Sequence, residues 1–172
     1  GPAGMTAARV LALRGHRVSL WEQEGELGGQ LRLAAVPPGR QDFRRFIDYL
    51  RRQLVQLGVE IRLHTRATAA DILDQNFEEV VLATGAREIQ LPLSSSETTQ
   101  VVTAAEVLQG KVLAGRQVVV IGGGPTGIET ALYLALERGM TPENWHFLAW
   151  YQGESPAMLQ ELLYYNPRQI TL

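Results

Sequence analysis

The sequence predicts an α/β fold made of two units with parallel strands. Short stretches in which apolar and polar residues alternate, or in which all residues are apolar, have the length of strands. They occur between stretches in which apolar residues recur every three to four positions, as in helices. Glycine-rich turns open two of the expected helices. With 172 residues, 45% of them hydrophobic and 20% charged, the chain has an ordinary globular composition and is long enough for one medium domain or for parts of two.

The first half of the chain is expected to alternate between helices and strands. Its clearest helix lies over residues 43–57, because apolar residues recur there at three- to four-residue spacing and Gly58 ends the pattern. A long connection marked by glycine and proline precedes it, over residues 25–39. The other expected elements are helices over 5–13 and 69–73 and strands over 17–22, 59–63 and 80–83, the last of them buried.

The second half is expected to begin with a helix over residues 104–108 and a buried strand over 117–121. That strand is continuously apolar, as strands of parallel sheets are. A helix follows over 128–138, and another strand begins at Gln169. The segment between them, residues 139–166, is rich in aromatic residues, and its pattern predicts no definite element.

Composition excludes several classes of function. The formal net charge of −2, from 16 basic and 18 acidic residues, lacks the basic excess of nucleic-acid binders. No apolar run approaches the length of a membrane span, and the first residues do not resemble a signal peptide, so we expect a cytoplasmic protein. Without cysteine the chain has no disulfide or iron–sulfur ligands, so redox chemistry requires an organic cofactor. His16, His64 and His146 share no metal-ligand spacing, and we interpret them as structural or surface residues.

A glycine motif follows the expected strand of the second unit. Gly122, Gly124 and Gly127 have the Gly-x-Gly-x-x-Gly spacing, between a strand and a helix. Such glycines permit a tight turn, leave room for a pyrophosphate at a helix N-terminus and let the helix pack against the strand. This context favours a Rossmann-like dinucleotide site over a glycine-rich turn without a ligand.

The start of the chain has the pattern of the end of another such motif. Gly1 and Gly4 precede the first helix, and the strand and first glycine expected before them are not in the sequence. An acidic residue that binds the ribose hydroxyl groups is expected at the end of the next strand, where Glu22 lies. The alternatives are that Glu22 is a solvated strand-end residue or that Glu24 has this role. Two dinucleotide sites in one chain indicate hydride transfer from a nicotinamide to a flavin.

These motifs together resemble a known superfamily. The segments that carry the resemblance are Gly1-Pro2-Ala3-Gly4, Gly15 to Glu22, Leu27-Gly28-Gly29-Gln30-Leu31, Pro38-Gly39-Arg40, Ala83-Thr84-Gly85-Ala86 and Val120 to Gly124. On them the chain resembles the flavoproteins with two dinucleotide-binding domains, which include thioredoxin reductases and the small subunit of glutamate synthase. Within that superfamily it is most similar to the C-terminal half of the 2,4-dienoyl-CoA reductase and NADH:flavin oxidoreductase family, which is related to trimethylamine dehydrogenase.

The resemblance implies that the chain binds FAD and NAD(P)H. Gly122, Gly124, Thr126 and Gly127 would hold the pyrophosphate of NADH or NADPH, and Glu129 is a weaker candidate near the nicotinamide. No residue of this chain is assigned to catalysis, and no metal site is expected. The residues that would line FAD are Gly1, Gly4, Glu22, Gly29 and Gln30 along the adenosine and pyrophosphate, Ala67 at the adenine, and Ala83, Thr84 and Gly85 over the cofactor.

The resemblance also implies a larger enzyme. The family carries an FMN-bearing (β/α)8 barrel and a cysteine-ligated iron–sulfur cluster, and this sequence contains neither. We therefore expect a three-layer, Rossmann-like FAD/NAD(P)-binding fold with both dinucleotide units incomplete. The boundary between Gly110 and Arg116 gives an FAD-binding domain over 1–111 and the first part of an NAD(P)H-binding domain over 112–172.

The expected function is electron entry into a flavin-dependent oxidoreductase. Hydride would pass from NAD(P)H to FAD and feed FMN-dependent reduction of an unsaturated substrate, such as a 2,4-dienoyl-CoA, in the absent barrel domain. The isolated chain is expected to be inactive, without nucleic-acid or membrane partners, and an oligomer is compatible with the sequence. The alternatives are an electron-transfer flavoprotein of the glutamate synthase small-subunit type and a nucleotide-fold fragment that binds no ligand tightly.

Overall fold

The chain divides by its internal packing into two compact units. The first unit is Gly1–Val101 and the second is Val102–Leu172. This division comes earlier in the chain than the boundary predicted after residue 111, because the helix that begins at Ala104 packs within the second unit. The computed structural model describes residues 1–89, 91–94, 99–136 and 169–172.

Helices and strands alternate along the described residues, as the sequence predicts for an α/β fold. The helices are α1 (Pro2–Leu13), α2 (Leu31–Ala34), α3 (Asp42–Gln56), α4 (Ala69–Asp74), α5 (Ala104–Leu108) and α6 (Pro125–Leu136). The strands are β1 (Ser19–Trp21), β2 (Glu60–Arg62), β3 (Gln117–Val119) and β4 (Gln169–Thr171).

The first unit is built on one pair of parallel strands. β1 and β2 lie in register with Leu20 opposite Ile61. Parallel neighbours need a crossover connection, and here α2 and α3 supply it. The backbone N–H of Glu22 donates to the carbonyl of Arg62 at 2.9 Å and extends the ladder past the end of β1. The glutamate is thereby held at the carboxyl end of the sheet.

Helices α1 and α3 pack on each other and form the core with one face of the sheet. Met5 of α1 and Leu54 of α3 have no exposed surface. Leu20 and Ile61 pack against the same cluster from the strands. The predicted apolar stripe of α3 is therefore confirmed, although Phe46 at its margin is 44% exposed. The remaining buried members of the cluster are Ala8, Leu27, Ile47, Leu50 and Val59.

Three helices differ from the pattern prediction, one of them α6, which begins at Pro125 rather than at residue 128. α1 begins at Pro2 rather than at residue 5, since proline is well suited to a first turn that needs no N–H donor. The carbonyl of Gly1 already accepts the N–H of Met5 at 3.1 Å. α2 has only four residues, too few to show a helical period, and it lies inside the predicted connection. Among the helices of the described ranges, none combines the length and the apolar character needed to cross a bilayer.

The prediction of a buried strand over residues 80–83 is wrong. The structure assigns no strand there, and Val80, Val81 and Leu82 are 48%, 59% and 80% exposed. A strand needs backbone hydrogen bonds to a neighbouring strand, and no strand in the described part of the first unit pairs with this segment. The apolar composition of residues 80–83 does not show whether such a neighbouring strand is present.

The second unit contains the parallel pair β3 and β4, with Val118 opposite Ile170. The predicted strand at Gln169 and the predicted helix over 104–108 are confirmed. β3 ends at Val119 and is not buried as predicted, because Val119 and Ile121 are 70% and 64% exposed. A strand is buried on every side only when neighbours cover both edges, and the described residues pair one edge of β3. The aromatic segment and the predicted helix end at 137–138 lie outside the described residues.

The packing of α3 gives a test of the core. We expect Leu54→Ala to lower the free energy of unfolding by about 2–5 kcal/mol, because the Leu54 side chain is fully buried and its truncation leaves a cavity in the core. Leu73→Ala is the matched control, since Leu73 is 77% exposed, and we expect a change within about 0.5 kcal/mol. Urea unfolding followed by circular dichroism measures both. Equal losses for the two variants would contradict this assignment of the core.

Helix α5 begins with a capping box. The Thr103 hydroxyl accepts the backbone N–H of Glu106 at 3.2 Å, and the Glu106 carboxylate accepts the backbone N–H of Thr103 at 2.8 Å. The hydrogen bond from the Thr103 backbone is the main cause that lowers the pKa of Glu106 below its usual 4.5. The folded state therefore favours the charged carboxylate more than the unfolded state does.

This pKa direction predicts a pH dependence of stability. The contribution of Glu106 is complete above its unfolded-state pKa and is lost as the pH falls through the lower pKa of the folded state. Glu106→Gln keeps a capping side chain that does not titrate, so we expect this part of the pH dependence to disappear. Thermal unfolding of both proteins between about pH 6 and pH 3 measures it. Parallel pH profiles would count against the capping role of the charge.

Candidate functional site

The N-terminus of α1 lies directly against the loop that precedes α2. A Cβ atom at Gly29 would stand 2.8 Å from the Cα of Gly1, so a side chain cannot be placed there without moving backbone. Gly29 also has φ of +53°, a conformation that most residues adopt rarely. Glycine at position 29 therefore permits a close backbone contact with the start of α1.

Glu22 lies beside this contact. One carboxylate oxygen, Oε2, is 3.4 Å from the nitrogen of Gly1, and the other, Oε1, accepts the backbone N–H of Glu24 at 3.2 Å. The side chain is 14% exposed. Its own carbonyl accepts the N–H of Thr65 at 2.8 Å, which fixes the backbone behind the carboxylate. The sequence-predicted ribose residue is thus held at the start of α1.

Two further contacts bring residues 83–86 to the same region. Gly4 is buried, and a Cβ added to it would stand 3.3 Å from the Cβ of Ala83. The side-chain amide of Gln30 donates to the carbonyl of Ala86 at 2.6 Å. Five predicted residues, Gly1, Gly4, Glu22, Gly29 and Gln30, therefore share one region with Ala83.

Thr84, Gly85 and Ala67 are exposed. Gly85 has φ of +74°, which accounts for glycine at this position. Ala67 lies between β2 and α4, and no hydrogen bond among the described residues joins its backbone to the contact of Gly1 with Gly29. The structure thus leaves these three residues at the surface.

The sequence analysis missed a second close contact in the first unit. The imidazole of His64 lies over Gly25, where a Cβ would stand 2.7 Å from Cε1. His64 has φ of +53°, uncommon for a residue with a side chain, and its N–H donates to the carbonyl of Glu24 at 3.0 Å. This contact joins residues that are distant in sequence, so no local sequence pattern predicts it.

Gly28 is another position whose role the pattern did not assign. It is buried with φ of +119°, and a Cβ there would lie 2.9 Å from Cγ of Arg32 and 3.0 Å from Cδ1 of Ile47. The two consecutive glycines before Gln30 are the signal that could have identified this position. Gly28 faces Ile47 of α3, and Gly29 faces Gly1 at the start of α1.

In the second unit, the glycine motif forms the turn from β3 into α6. A Cβ at Gly127 would overlap the carbonyl oxygen of Gly122, so the first turn of the helix packs directly on the backbone of the turn. Gly122 has φ of +117°. Gly123 and Gly124 have no atom near the position of a Cβ, so the space in front of the helix is open. This is the arrangement that a phosphate group at a helix N-terminus requires.

Thr126 and Glu129 lie in the first turns of α6. The Thr126 carbonyl accepts the Thr130 hydroxyl at 2.7 Å, and the Thr126 side chain is exposed at the helix start. Glu129 is half-buried one turn further on. The Gly124 carbonyl accepts the N–H of Ile128 at 3.0 Å, which continues the helix back to the glycine turn.

Comparison with known proteins identifies relatives of the whole chain. A family model described as pyridine nucleotide-disulphide oxidoreductase matches residues 1–140. A metal reductase of Desulforamulus reducens is 44% identical over 176 residues, covering 100% of this chain and 26% of that protein. An NADH oxidase of Thermoanaerobacter brockii is 44% identical over 143 residues, covering 81% of this chain and 22% of that protein. The solved structure of a 2-naphthoyl-CoA reductase with 2-naphthoyl-CoA has a TM-score of 0.74 at 28% identity, covering 99% of this chain and 26% of that one.

The matches confirm the superfamily to which the motifs point. The structural likeness agrees with a Rossmann-like α/β fold, and the family implies FAD and NAD(P)H as cofactors. The chain spans between 22% and 26% of the length of these relatives. By the match of the family model over most of its length, the chain belongs to the pyridine nucleotide-disulphide oxidoreductase family.

Proposed function

We propose that this chain is the electron-entry module of a flavin-dependent oxidoreductase, in which NAD(P)H delivers hydride to FAD. The observation that carries the proposal is the convergence of Gly1, Gly29 and Glu22. A bound dinucleotide needs backbone N–H groups without side chains in front of them for its pyrophosphate, and a hydrogen-bond acceptor for its ribose. The glycine contact and the carboxylate beside it meet both requirements.

The described residues of the first unit fit FAD. Gly1 and Gly29 would leave room for the pyrophosphate at the N-terminus of α1, and Gly4 would let the first turn of α1 pack closely on Ala83 beside the cofactor. Each oxygen of Glu22 has one described polar neighbour, and a carboxylate offers about four lone-pair sites, so acceptor capacity remains for ribose hydroxyl groups. Gln30 would hold the chain at Ala86 over the cofactor. The other proposed contacts are the backbone of Ala67 at the adenine and those of Ala83, Thr84 and Gly85 over the cofactor.

The second unit fits the pyrophosphate of NADH or NADPH. Gly122 and Gly124 would line it, Thr126 would offer a hydroxyl at the helix start, and Gly127 lets α6 approach the turn. The aligned peptide dipoles of α6 favour an anion at this end. Glu129 remains a weaker candidate near the nicotinamide. When bound, the two cofactors would supply the transfer of a hydride from nicotinamide to flavin, and the residues of this chain would hold and orient them.

The length of the relatives supports a larger enzyme around this module. We propose an FAD-binding domain over residues 1–111 and the first part of an NAD(P)H-binding domain over 112–172, both of them incomplete three-layer dinucleotide units. Electrons would leave toward an FMN-bearing barrel domain that reduces an unsaturated substrate such as a 2,4-dienoyl-CoA. The reductase names of the relatives support this direction of electron flow. A cytoplasmic location fits a module supplied with NAD(P)H.

Two other functions make different predictions. An electron-transfer flavoprotein of the glutamate synthase small-subunit type would be preceded by an iron–sulfur domain and no barrel, so the full-length gene separates it from the proposal. A nucleotide-fold fragment without a ligand would stay colourless when it is purified with FAD. The open helix start at Gly124 and the carboxylate of Glu22 favour the proposal over a fragment that binds nothing.

Titration with FAD tests the proposal directly. We expect Glu22→Gln to raise the dissociation constant of FAD about tenfold or more, because a charged acceptor of the ribose hydroxyl groups becomes neutral. Quenching of flavin fluorescence measures the constant. Glu24→Gln, two residues away, is the matched control and we expect it to change the constant less than about twofold.

The outcomes of this titration separate the interpretations. A larger effect of Glu24→Gln than of Glu22→Gln would assign the ribose to Glu24. A wild-type chain that retains no flavin would overturn the proposal and favour the fragment without a ligand. If flavin is retained, its bleaching under anaerobic conditions by NADH or by NADPH identifies the electron donor.

The turn at Gly122 predicts a second pair of variants. Gly127→Ala would push α6 away from the Gly122 carbonyl, so we expect the dissociation constant of the preferred nicotinamide nucleotide to rise about tenfold or more. Gly123→Ala adds its methyl group to open space, and we expect less than about a twofold change. Calorimetric titration checks both, with circular dichroism to verify folding. Equal affinities for the two variants would argue against nucleotide binding at this turn.

A further inference from the structure

Two loops at the carboxyl end of the first sheet are joined by their backbones. One follows β1 and contains Glu22, Glu24 and Gly25, and the other follows β2 and contains His64 and Thr65. The N–H of Thr65 donates to the carbonyl of Glu22 at 2.8 Å, and that of His64 donates to the carbonyl of Glu24 at 3.0 Å. The position of the Glu22 carboxylate therefore depends on the loop after β2.

The imidazole of His64 closes the contact between these loops. Its atoms Cε1 and Nε2 would be 2.7 and 3.0 Å from a Cβ at Gly25, so the ring packs directly against this glycine. The ring reaches this place because His64 has φ of +53°, which turns the side chain back over the loop after β1. Such backbone conformations cost free energy and persist where the surroundings hold them.

His64 also borders a groove that is open to solvent. This groove on the first unit has a volume of about 380 Å³, and His64 lines it together with Trp21, Arg62, Thr65, Arg66 and the end of α4. Trp21 and Arg62 lie side by side in its lining, with the guanidinium carbon 5.2 Å from the centre of the indole ring. None of the lining residues belongs to the buried core cluster, so a displaced ring leaves that cluster intact.

We propose that His64 and Gly25 are positioning residues for the adenosine half of the dinucleotide, acting through Glu22. This inference rests on the proposed binding of FAD by the first unit. The ring of His64 holds the loop after β1 closed, so that the hydrogen bonds from Thr65 and His64 keep the Glu22 carboxylate at the N-terminus of α1. A loop released from the ring would present the same carboxylate in a less defined position, and pre-organised acceptors bind more tightly than mobile ones.

Two single variants remove the ring contact in different ways. His64→Asn removes the ring and keeps a residue type that tolerates a positive φ. Gly25→Ala keeps the ring and displaces it, because the added methyl group would occupy its place. Both leave the buried core unchanged, so we expect the midpoint of thermal unfolding without cofactor to stay within about 2 °C of the wild type.

The test is a double-mutant cycle on cofactor affinity. We expect each single variant to raise the dissociation constant of FAD about five- to tenfold, and the double variant to raise it no further, because both remove one contact. The inhibition constant of ADP, which carries only the adenosine half, should rise by the same factor in competition with FAD. His16→Ala and Gly115→Ala are the matched controls, since His16 is exposed and Gly115 has no atom near the position of a Cβ.

Each outcome supports or overturns the assignment. Wild-type affinity for FAD in His64→Asn would overturn it while leaving the binding of FAD intact. Multiplying effects in the double variant would also overturn it, because the residues would then act independently. A fall in affinity for FAD without a change for ADP would show that the residues do not serve the adenosine half. A wild-type chain that binds neither FAD nor ADP would end both this inference and the proposed function.

Discussion

The backbone contact between Gly1 and Gly29 is the constraint on which the site in the first unit depends. It requires that residue 29 carry no side chain, and Gly29 meets this requirement in a backbone conformation that favours glycine. The contact sets the start of α1 against the loop before α2. Glu22 and Gly4 both lie at this helix start, Glu22 beside the nitrogen of Gly1 and Gly4 within the first turn of α1.

The core of the first unit fixes the positions of α1 and α3 relative to the strands. Successive residues of a strand point to opposite faces, so Leu20 and Ile61 bind the sheet to α1 and α3 while Trp21 and Arg62 face the groove. The same three-residue strands thus anchor the helices on one side and carry polar loops at their ends. The backbone that carries these loops is held by buried leucine and methionine side chains.

Local patterns predicted most of the helices and failed where a feature depends on distant residues. The stripe of α3 and the glycine motif at Gly122 are periodic or contiguous, so one sequence sufficed to predict them. Residues 80–83 have strand-like composition, but pairing needs a neighbour that composition cannot supply. The approach of Gly29 to Gly1 and the packing of His64 on Gly25 join residues 28 or more positions apart, and no periodicity encodes such contacts.

The exposed run of Val80, Val81 and Leu82 has a consequence for the behaviour of the chain in concentrated solution. Consecutive branched apolar residues that pair with no strand of the described part of the chain are templates for strand pairing between molecules. Glu78 and Glu79 stand directly before the run, where their negative charges act as gatekeepers against self-association. Conditions that neutralise or screen those charges therefore favour aggregation through this segment, independently of the stability of the core.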